Sequence, residues 1–270
     1  ICGVTNQHSI MKINRLFIAA ALAVASQLST EAAEVKTIET PRMKVYLPDA
    51  DKATGRAVLA CPGGAYIMLS NSHEGHKWAP FFNDLGIAYA VVDYNLPKGN
   101  HKIPVGEAQA AMKVLRDSAE VWHLNPKDIG IMGSSAGGHL ASTVATHYDA
   151  STRPDFQILF YPVITMDKSY THMGSHDNLL GENASPELEV EFSNEKQVTP
   201  DTPRAFIAFS DDDNVVSPLN GTSYYNSLHK AGVPAVLHIY PSGGHGWGCL
   251  DMFRYHKEMV ADLTSWLSSF

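Results

Sequence analysis

The stretch that most restricts this chain is Gly133-Ser134-Ser135-Ala136-Gly137 in its setting. The apolar run Ile129-Gly130-Ile131-Met132 enters it, and a helical pattern from His139 to His147 leaves it. A short apolar run stopped by glycine and followed by helical periodicity reads as strand, sharp turn, helix. The flanking glycines allow a strained backbone at the serine between them, which lifts Ser135 Oγ above the carboxyl edge of a parallel sheet. The helix behind the turn places partial positive charge where an oxyanion would develop. The pentapeptide alone also fits an ordinary glycine-rich turn, so its meaning depends on the rest of the chain.

The same alternation recurs along the sequence. Arg56–Cys61, Ile87–Tyr94, Phe156–Tyr161, Arg204–Phe209 and Ala235–Tyr240 are apolar runs of strand length, continuous in hydrophobicity as buried parallel strands are. Between them Trp78–Leu85, Val105–Trp122 and Leu219–Lys230 have helical spacing, and Asp251–Phe270 reads as a closing amphipathic helix with Met252, Tyr255, Met259, Leu263, Trp266 and Leu267 on its apolar side. Val35–Leu47, interrupted by Pro41, suggests one or two short edge strands. Residues 163–202 are polar and irregular, a length that suits a small cap or substrate-facing insertion. The pattern specifies an α/β fold: one domain, a mostly parallel central sheet, and helices on both faces.

Composition narrows the partners. The 270 residues carry 20 Lys plus Arg against 28 Asp plus Glu, with no dense basic cluster, which disfavours nucleic acid and anionic membrane surfaces. Met11, Lys12 and Arg15 precede the apolar run Leu16–Ala25 and small residues up to Ala33, the pattern of a secretory signal peptide over 11–32. Residues 1–10 precede this start and are set apart from the fold, leaving 33–270 as the catalytic domain. No membrane span is expected after processing, and the address is secreted or periplasmic. Oligomeric state is not readable. Of three cysteines, Cys61 and Cys249 follow the signal segment, and two buried thiols are favoured over a bridge.

Three loops that the pattern places at strand carboxyl ends hold a serine, an acid and a histidine: Ser135, the triplet Asp211-Asp212-Asp213, and His245 in Gly243-Gly244-His245-Gly246. A serine hydroxyl becomes a useful nucleophile only when an imidazole takes its proton, and the imidazole needs a carboxylate to fix its tautomer. Residue chemistry does not choose among the three aspartates. Gly63-Gly64-Ala65 can turn backbone N–H groups toward a substrate oxygen, joined by the N–H of Ala136, and small residues there keep the approach open. Tyr66 and Trp247 flank these loops and either offer an aromatic face to substrate or pack the wall. His172, His176, Asp177 and Asn178 lie in the insertion, as candidate substrate contacts or as solvated loop residues.

With these residues in order, the chain resembles the α/β-hydrolase superfamily, and within it the secreted bacterial acetylxylan and related carbohydrate esterases. The resemblance rests on Pro62-Gly63-Gly64-Ala65-Tyr66, His73-Glu74-Gly75, Tyr94-Asn95-Leu96-Pro97, Gly133–Ala141, Asn178-Leu179-Leu180-Gly181, Asp212–Val216 and Gly243–Trp247. It implies Ser135 as nucleophile, His245 as base, Asp213 as orienting acid because it precedes Asn214-Val215-Val216, and Gly64, Ala65 and Ala136 as oxyanion donors. It further implies an acylated carbohydrate or small ester as substrate, with no cofactor and no metal. Two departures stand out: Ala65 replaces a usual third glycine, and Asn95 a common arginine.

The alternatives within this class are a general short-chain carboxylesterase and, less in keeping with the motifs, a feruloyl esterase or peptidase. Outside it stand a metal-dependent deacetylase and a non-catalytic relative kept for binding. His73-Glu74-Gly75-His76 lacks the spacing of a zinc helix. No member of the serine, acid and histidine set is missing, which disfavours the binding-only reading.

Overall fold

The computed structural model describes Lys36–Phe270 with the exception of Pro41, and the expected signal segment 11–32 and the preceding residues lie outside the described residues. Eight strands form one sheet: β1 (Lys36–Thr40), β2 (Met43–Leu47), β3 (Ala57–Cys61), β4 (Ala88–Val92), β5 (Ile129–Ser134), β6 (Phe156–Phe160), β7 (Arg204–Ser210) and β8 (Ala235–Tyr240). Their spatial order is β1-β2-β4-β3-β5-β6-β7-β8. β1–β2 and β2–β4 pair antiparallel, while β4, β3, β5, β6, β7 and β8 pair in parallel. Every residue of β3, β4 and β6 is buried, which is why these strands read as unbroken apolar runs.

The helices are α1 (Ala79–Asp84), α2 (Lys102–Asp117), α3 (Ala119–Trp122), α4 (Ala136–Val144), α5 (Met173–Leu180), α6 (Pro186–Glu191), α7 (Leu219–Lys230) and α8 (His256–Leu267). The step from β3 to β4 runs one way along the sheet and the step from β4 to β5 runs back past β3. Right-handed crossovers therefore put α1 and α2 on opposite faces. Neighbouring residues of β6 show the same division, because successive strand side chains point to opposite faces. Gln157 Oε1 accepts from Tyr224 of α7 at 3.1 Å. Phe156 meets Trp266 of α8 edge-on, with 6.0 Å between ring centroids. Phe160, on the Phe156 side, stacks on Trp78 beside α1 at 5.1 Å.

Three elements differ from their sequence expectation. The helix expected over Val105–Trp122 starts earlier and breaks at Ser118, whose ψ of 3° leaves the helical region, so α2 and α3 are separate. The closing helix starts only at His256; Met252, expected on its apolar side, lies in the preceding turns and is 82% exposed. The 163–202 insertion is more regular than its polarity suggested. Ser185 caps α6 by accepting from Leu188 N–H at 3.2 Å, with Pro186 in the first turn, and His172 caps α5 by accepting from Ser175 N–H at 3.2 Å. Those caps were present in the sequence but lacked an apolar stripe to accompany them.

The insertion is tied to α4 by buried polar contacts. Asn194 Nδ2 donates to His139 O, Ser142 Oγ and Thr143 Oγ1 of α4 at 2.8–3.2 Å. His139 Nε2–H donates to Phe192 O at 2.8 Å, and its Nδ1 accepts from Tyr66 O–H at 3.0 Å. Both ring nitrogens are thus satisfied in the neutral tautomer, and burial holds His139 down at about 4. Asn95 uses its backbone N–H and side-chain amide to reach the two Glu107 oxygens, each at 2.6 Å, so uncharged donors meet the carboxylate where arginine is common.

Candidate active site

The parallel ladder brings the strand ends to a common edge. Cys61 pairs with Gly133, Ser134 with Phe160, Phe160 with Ala208, and Ser210 with Tyr240. The loops that leave β3, β5, β7 and β8 consequently open on one side of the sheet, as expected for a site at strand carboxyl ends.

Ser135 sits between β5 and α4 with φ 53° and ψ −123°. This conformation is costly for a residue with a side chain and persists because its surroundings over-determine it. Ser135 N–H donates to Phe160 O at 3.0 Å, and Ser135 O accepts from His139 N–H at 3.1 Å and Val163 N–H at 3.0 Å. Close backbone approach excludes side chains on both flanks: a Cβ on Gly133 would fall 2.1 Å from Gly137 O, and one on Gly137 would fall 2.0 Å from Cys61 O.

Ser135 Oγ lies 2.8 Å from His245 Nε2, and His245 Nδ1 lies 2.7 Å from Asp213 Oδ2. A carboxylate can only accept, so Nδ1 carries the proton and Nε2 is free to accept from the serine hydroxyl. The fully buried Asp213 side chain is aimed by its other oxygen, Oδ1, which accepts from Val215 and Val216 N–H at 2.9 Å each. This distinguishes it from its neighbours. Asp211 and Asp212 are exposed, and Asp212 Oδ1 accepts from Gly244 N–H at 2.8 Å, bracing the histidine loop from outside.

The Gly63–Tyr66 turn follows β3 and passes against the serine: a Cβ on Gly63 would lie 3.0 Å from Ser135 Cβ. Ala65 and Tyr66 have φ of 53° and 60°, and Ala65 O accepts from Asn178 Nδ2 at 2.8 Å. Among the described residues, the N–H groups of Gly64 and Ala65 take no intramolecular acceptor. Ala136 opens α4, whose first-turn N–H groups have no intrahelical partner. The three expected anion-hole residues therefore carry free donors on loops adjoining Ser135. Alanine at 65 is accommodated in the left-handed region, where glycine would cost less.

Of the two roles open to Tyr66 and Trp247, the structure shows the packing one. They are 1% and 4% exposed. Tyr66 is engaged with His139 through its hydroxyl, and Trp247 stacks on Phe253 at 4.3 Å while donating to Ser210 Oγ at 3.1 Å. Both rings are buried in the wall. In the insertion, His176 is buried between Asp177 at 2.8 Å and Glu189 at 3.1 Å. His172 is half-buried near the triad; burial first, then the neighbouring His245, lower its pKa, partly offset by Asp213.

Sequence reasoning assigned no role to Glu74, Tyr161 or Asn194, all buried and all bonded to site loops or to α4. Glu74 stands in the polar stretch Ser70–Lys77, so nothing local in the sequence signalled its burial. Glu74 and His76 of the stretch weighed as a metal motif have other engagements. Glu74 accepts from Gly63 N–H and Tyr161 O–H at 2.9 Å each, and His76 Nδ1 lies 2.9 Å from the Tyr46 hydroxyl. Cys61 and Cys249 are both free thiols, and burial pushes each one up.

A protein-family model described as an alpha/beta hydrolase fold matches residues 58–248, a span that runs from within β3 past β8 and contains Ser135, Asp213 and His245. The chain belongs to the α/β-hydrolase family. It is 42% identical over 264 residues to an acetylxylan esterase of Xylanibacter ruminicola, covering 94% of this chain and 55% of that protein. It is 35% identical over 221 residues to endo-1,4-beta-xylanase B of Butyrivibrio fibrisolvens, covering 76% of this chain and 34% of that one. The chain thus spans about half of the first relative's length and about a third of the second's. Among solved structures, an acetyl ester-xyloside bifunctional hydrolase from Caldicellulosiruptor lactoaceticus superposes with a TM-score of 0.81 at 34% identity, covering 84% of this chain and 87% of that chain.

Proposed function

We propose that this α/β-hydrolase is a serine carboxylic-ester hydrolase that removes acetyl groups from xylan or xylooligosaccharides. The observation that carries the reaction class is the hydrogen-bonded series Ser135 Oγ, His245, Asp213, at 2.8 and 2.7 Å, beside a turn of free backbone donors. The choice of substrate is supported by the likeness to a protein named acetylxylan esterase over nearly the whole chain.

In this reading Ser135 Oγ attacks the ester carbonyl while His245 Nε2 takes its proton. Asp213 holds the imidazole in the required tautomer and stabilises the imidazolium. The N–H groups of Gly64, Ala65 and Ala136 hold the oxyanion of the tetrahedral intermediate. Protonated His245 then gives its proton to the departing sugar hydroxyl, and water clears the acetyl-enzyme by the same steps, with no cofactor.

A hydrolysis panel tests the proposal: acetylated xylooligosaccharides against 4-nitrophenyl acetate, butyrate and octanoate and a feruloyl ester. Highest kcat/KM on the acetylated sugars is expected. Equal rates on all simple short esters would shift the reading to a general short-chain carboxylesterase, and preference for octanoate would refute the acetyl-sugar substrate. Full activity in Ser135→Ala, or loss of activity on chelation, would remove the serine mechanism itself.

Export belongs to the same proposal. Among the described residues no helix is long and apolar enough to cross a membrane. The basic, apolar and small-residue succession over 11–32 supports a removable signal peptide and a secreted or periplasmic enzyme. Amino-terminal sequencing of protein from culture supernatant or periplasm should begin near residue 33; intact cytoplasmic protein would contradict it.

A further inference from the structure

Glu74 is 3% exposed and lies in none of the strands or helices. Its two hydrogen-bond partners are a backbone N–H and a phenol, not a cation. Oε2 accepts from Gly63 N–H and Oε1 accepts from Tyr161 O–H, both at 2.9 Å. The Tyr161 oxygen in turn accepts from Gly248 N–H at 2.8 Å. A buried carboxylate held only by neutral donors is a poor way to gain stability, because its desolvation is not offset by an opposite charge. What the arrangement does achieve is geometric.

We infer that Glu74 is a positioning residue which, through Tyr161, fixes the anion-hole turn and the histidine loop in one frame; this rests on the serine-esterase reading above. Gly63 is held between Glu74 and the nucleophile: a Cβ there would fall 2.6 Å from Glu74 Oε2 and 3.0 Å from Ser135 Cβ. The next two residues, Gly64 and Ala65, carry the free N–H groups. On the far side, Gly248 follows His245 by three positions, and the Tyr161 ring lies edge-on to the His245 ring at 4.7 Å. Tyr161 is itself pinned, at φ 35°, by its N–H donating to Ala208 O at 2.7 Å.

Gly248 N–H donates to the Tyr161 oxygen, whose O–H donates to Glu74 Oε1, so these two bonds polarise each other in series, while Gly63 N–H donates to the second carboxylate oxygen. A second tie runs beside it, Cys249 N–H to His73 O at 3.0 Å, which leaves the histidine loop attached when the Glu74 contacts are altered. The strut therefore sets the relative placement of base and anion hole, a quantity that matters in the transition state and little in substrate binding.

The test uses Glu74→Gln, Tyr161→Phe, the double variant and Ser135→Ala, assayed on 4-nitrophenyl acetate with active sites counted by burst titration. Glu74→Gln keeps the shape but puts an amide donor where an acceptor is needed; Tyr161→Phe removes one oxygen. Each should lower kcat per titrated site about 10- to 100-fold with KM within about twofold of the parent. The double variant should be no worse than the weaker single by more than about twofold, because both changes break one unit. Unchanged kcat in both singles, an equal rise in KM, or fully additive losses would overturn the strut alone. Activity surviving in Ser135→Ala would overturn the esterase reading and the strut with it. If Glu74→Gln does not accumulate as folded protein, Tyr161→Phe carries the same expectation by itself.

Discussion

Asn178 Nδ2 donates to the carbonyl oxygen of Ala65 across 2.8 Å, from a helix of the insertion to the turn beside Ser135. The same residue's carbonyl accepts from Gly99 N–H at 2.8 Å, so Asn178 is anchored on both sides. The insertion thereby does for Ala65 what a third glycine would leave undone: it holds a side-chain-bearing residue at φ 53° with its N–H free. Asn178→Ala should lower kcat about tenfold, equivalent to ~1.4 kcal/mol, through a less well defined anion hole. Initial-rate kinetics with an acetyl ester check this, and Asn178→Asp should be at least as damaging because a carboxylate would face the carbonyl.

Asp213 supplies one oxygen to two backbone N–H groups and the other to His245. In Asp213→Asn the amide nitrogen can face the imidazole, reverse the tautomer and leave Nε2 protonated toward Ser135. A fall in kcat of up to roughly 10⁴-fold is expected, on the scale seen when a triad carboxylate is replaced by its amide. Asp212→Asn and Asp211→Asn should remain within about tenfold, because neither touches the imidazole. Parallel kcat measurements on the three variants separate the positions.

Gly137 has no room for a methyl group, since a Cβ would sit 2.0 Å from Cys61 O and 2.5 Å from Pro62 O. Both obstacles are backbone at the end of a fully buried strand. Gly137→Ala should cost about 4 kcal/mol or more, or prevent accumulation of folded protein, whereas Gly106→Ala, where nothing lies within 4 Å, should be neutral or slightly stabilising. Chemical denaturation of both variants distinguishes these outcomes.

His139 is held neutral at about 4, against an ordinary value of 6.5, chiefly by burial. In the unfolded chain it takes up a proton near 6.5, so between the two values the unfolded state binds more protons and stability rises with pH. The contribution is complete above about 6.5 and is lost as pH falls toward about 4, amounting to about 3 kcal/mol over that interval. Urea midpoints at pH 7, 5.5 and 4.5 should decline in that order. His139→Gln, though less stable at pH 7, should show a shallower decline, and an equal slope in both proteins would assign the acid sensitivity elsewhere.

The order of the strands and of the helices outside the 163–202 insertion, and the Ser135 turn, were legible in the sequence because continuous apolar runs and flanking glycines act locally. Burial on both faces writes itself into β3, β4 and β6 residue by residue, and the Gly133 and Gly137 requirement follows from close approach of neighbouring backbone. The element ends were less legible. Helix α8 begins after Tyr255 rather than at Asp251, because apolar spacing alone does not register that the preceding turns leave Met252 in solvent.

The sequence by itself determined the fold class and the chain order of the candidate serine, acid and histidine, since each depends on local pattern or on chemistry that only certain side chains possess. Tertiary structure decided which of three adjacent aspartates faces His245, that Tyr66 and Trp247 belong to the wall, and that Glu74, Tyr161 and Asn178 tie the loops together. The reason is physical distance. Gly63, Glu74, Tyr161 and Gly248 meet through hydrogen bonds that span up to 87 positions, and no local propensity encodes a contact that exists only once the sheet has brought its strand ends to one edge.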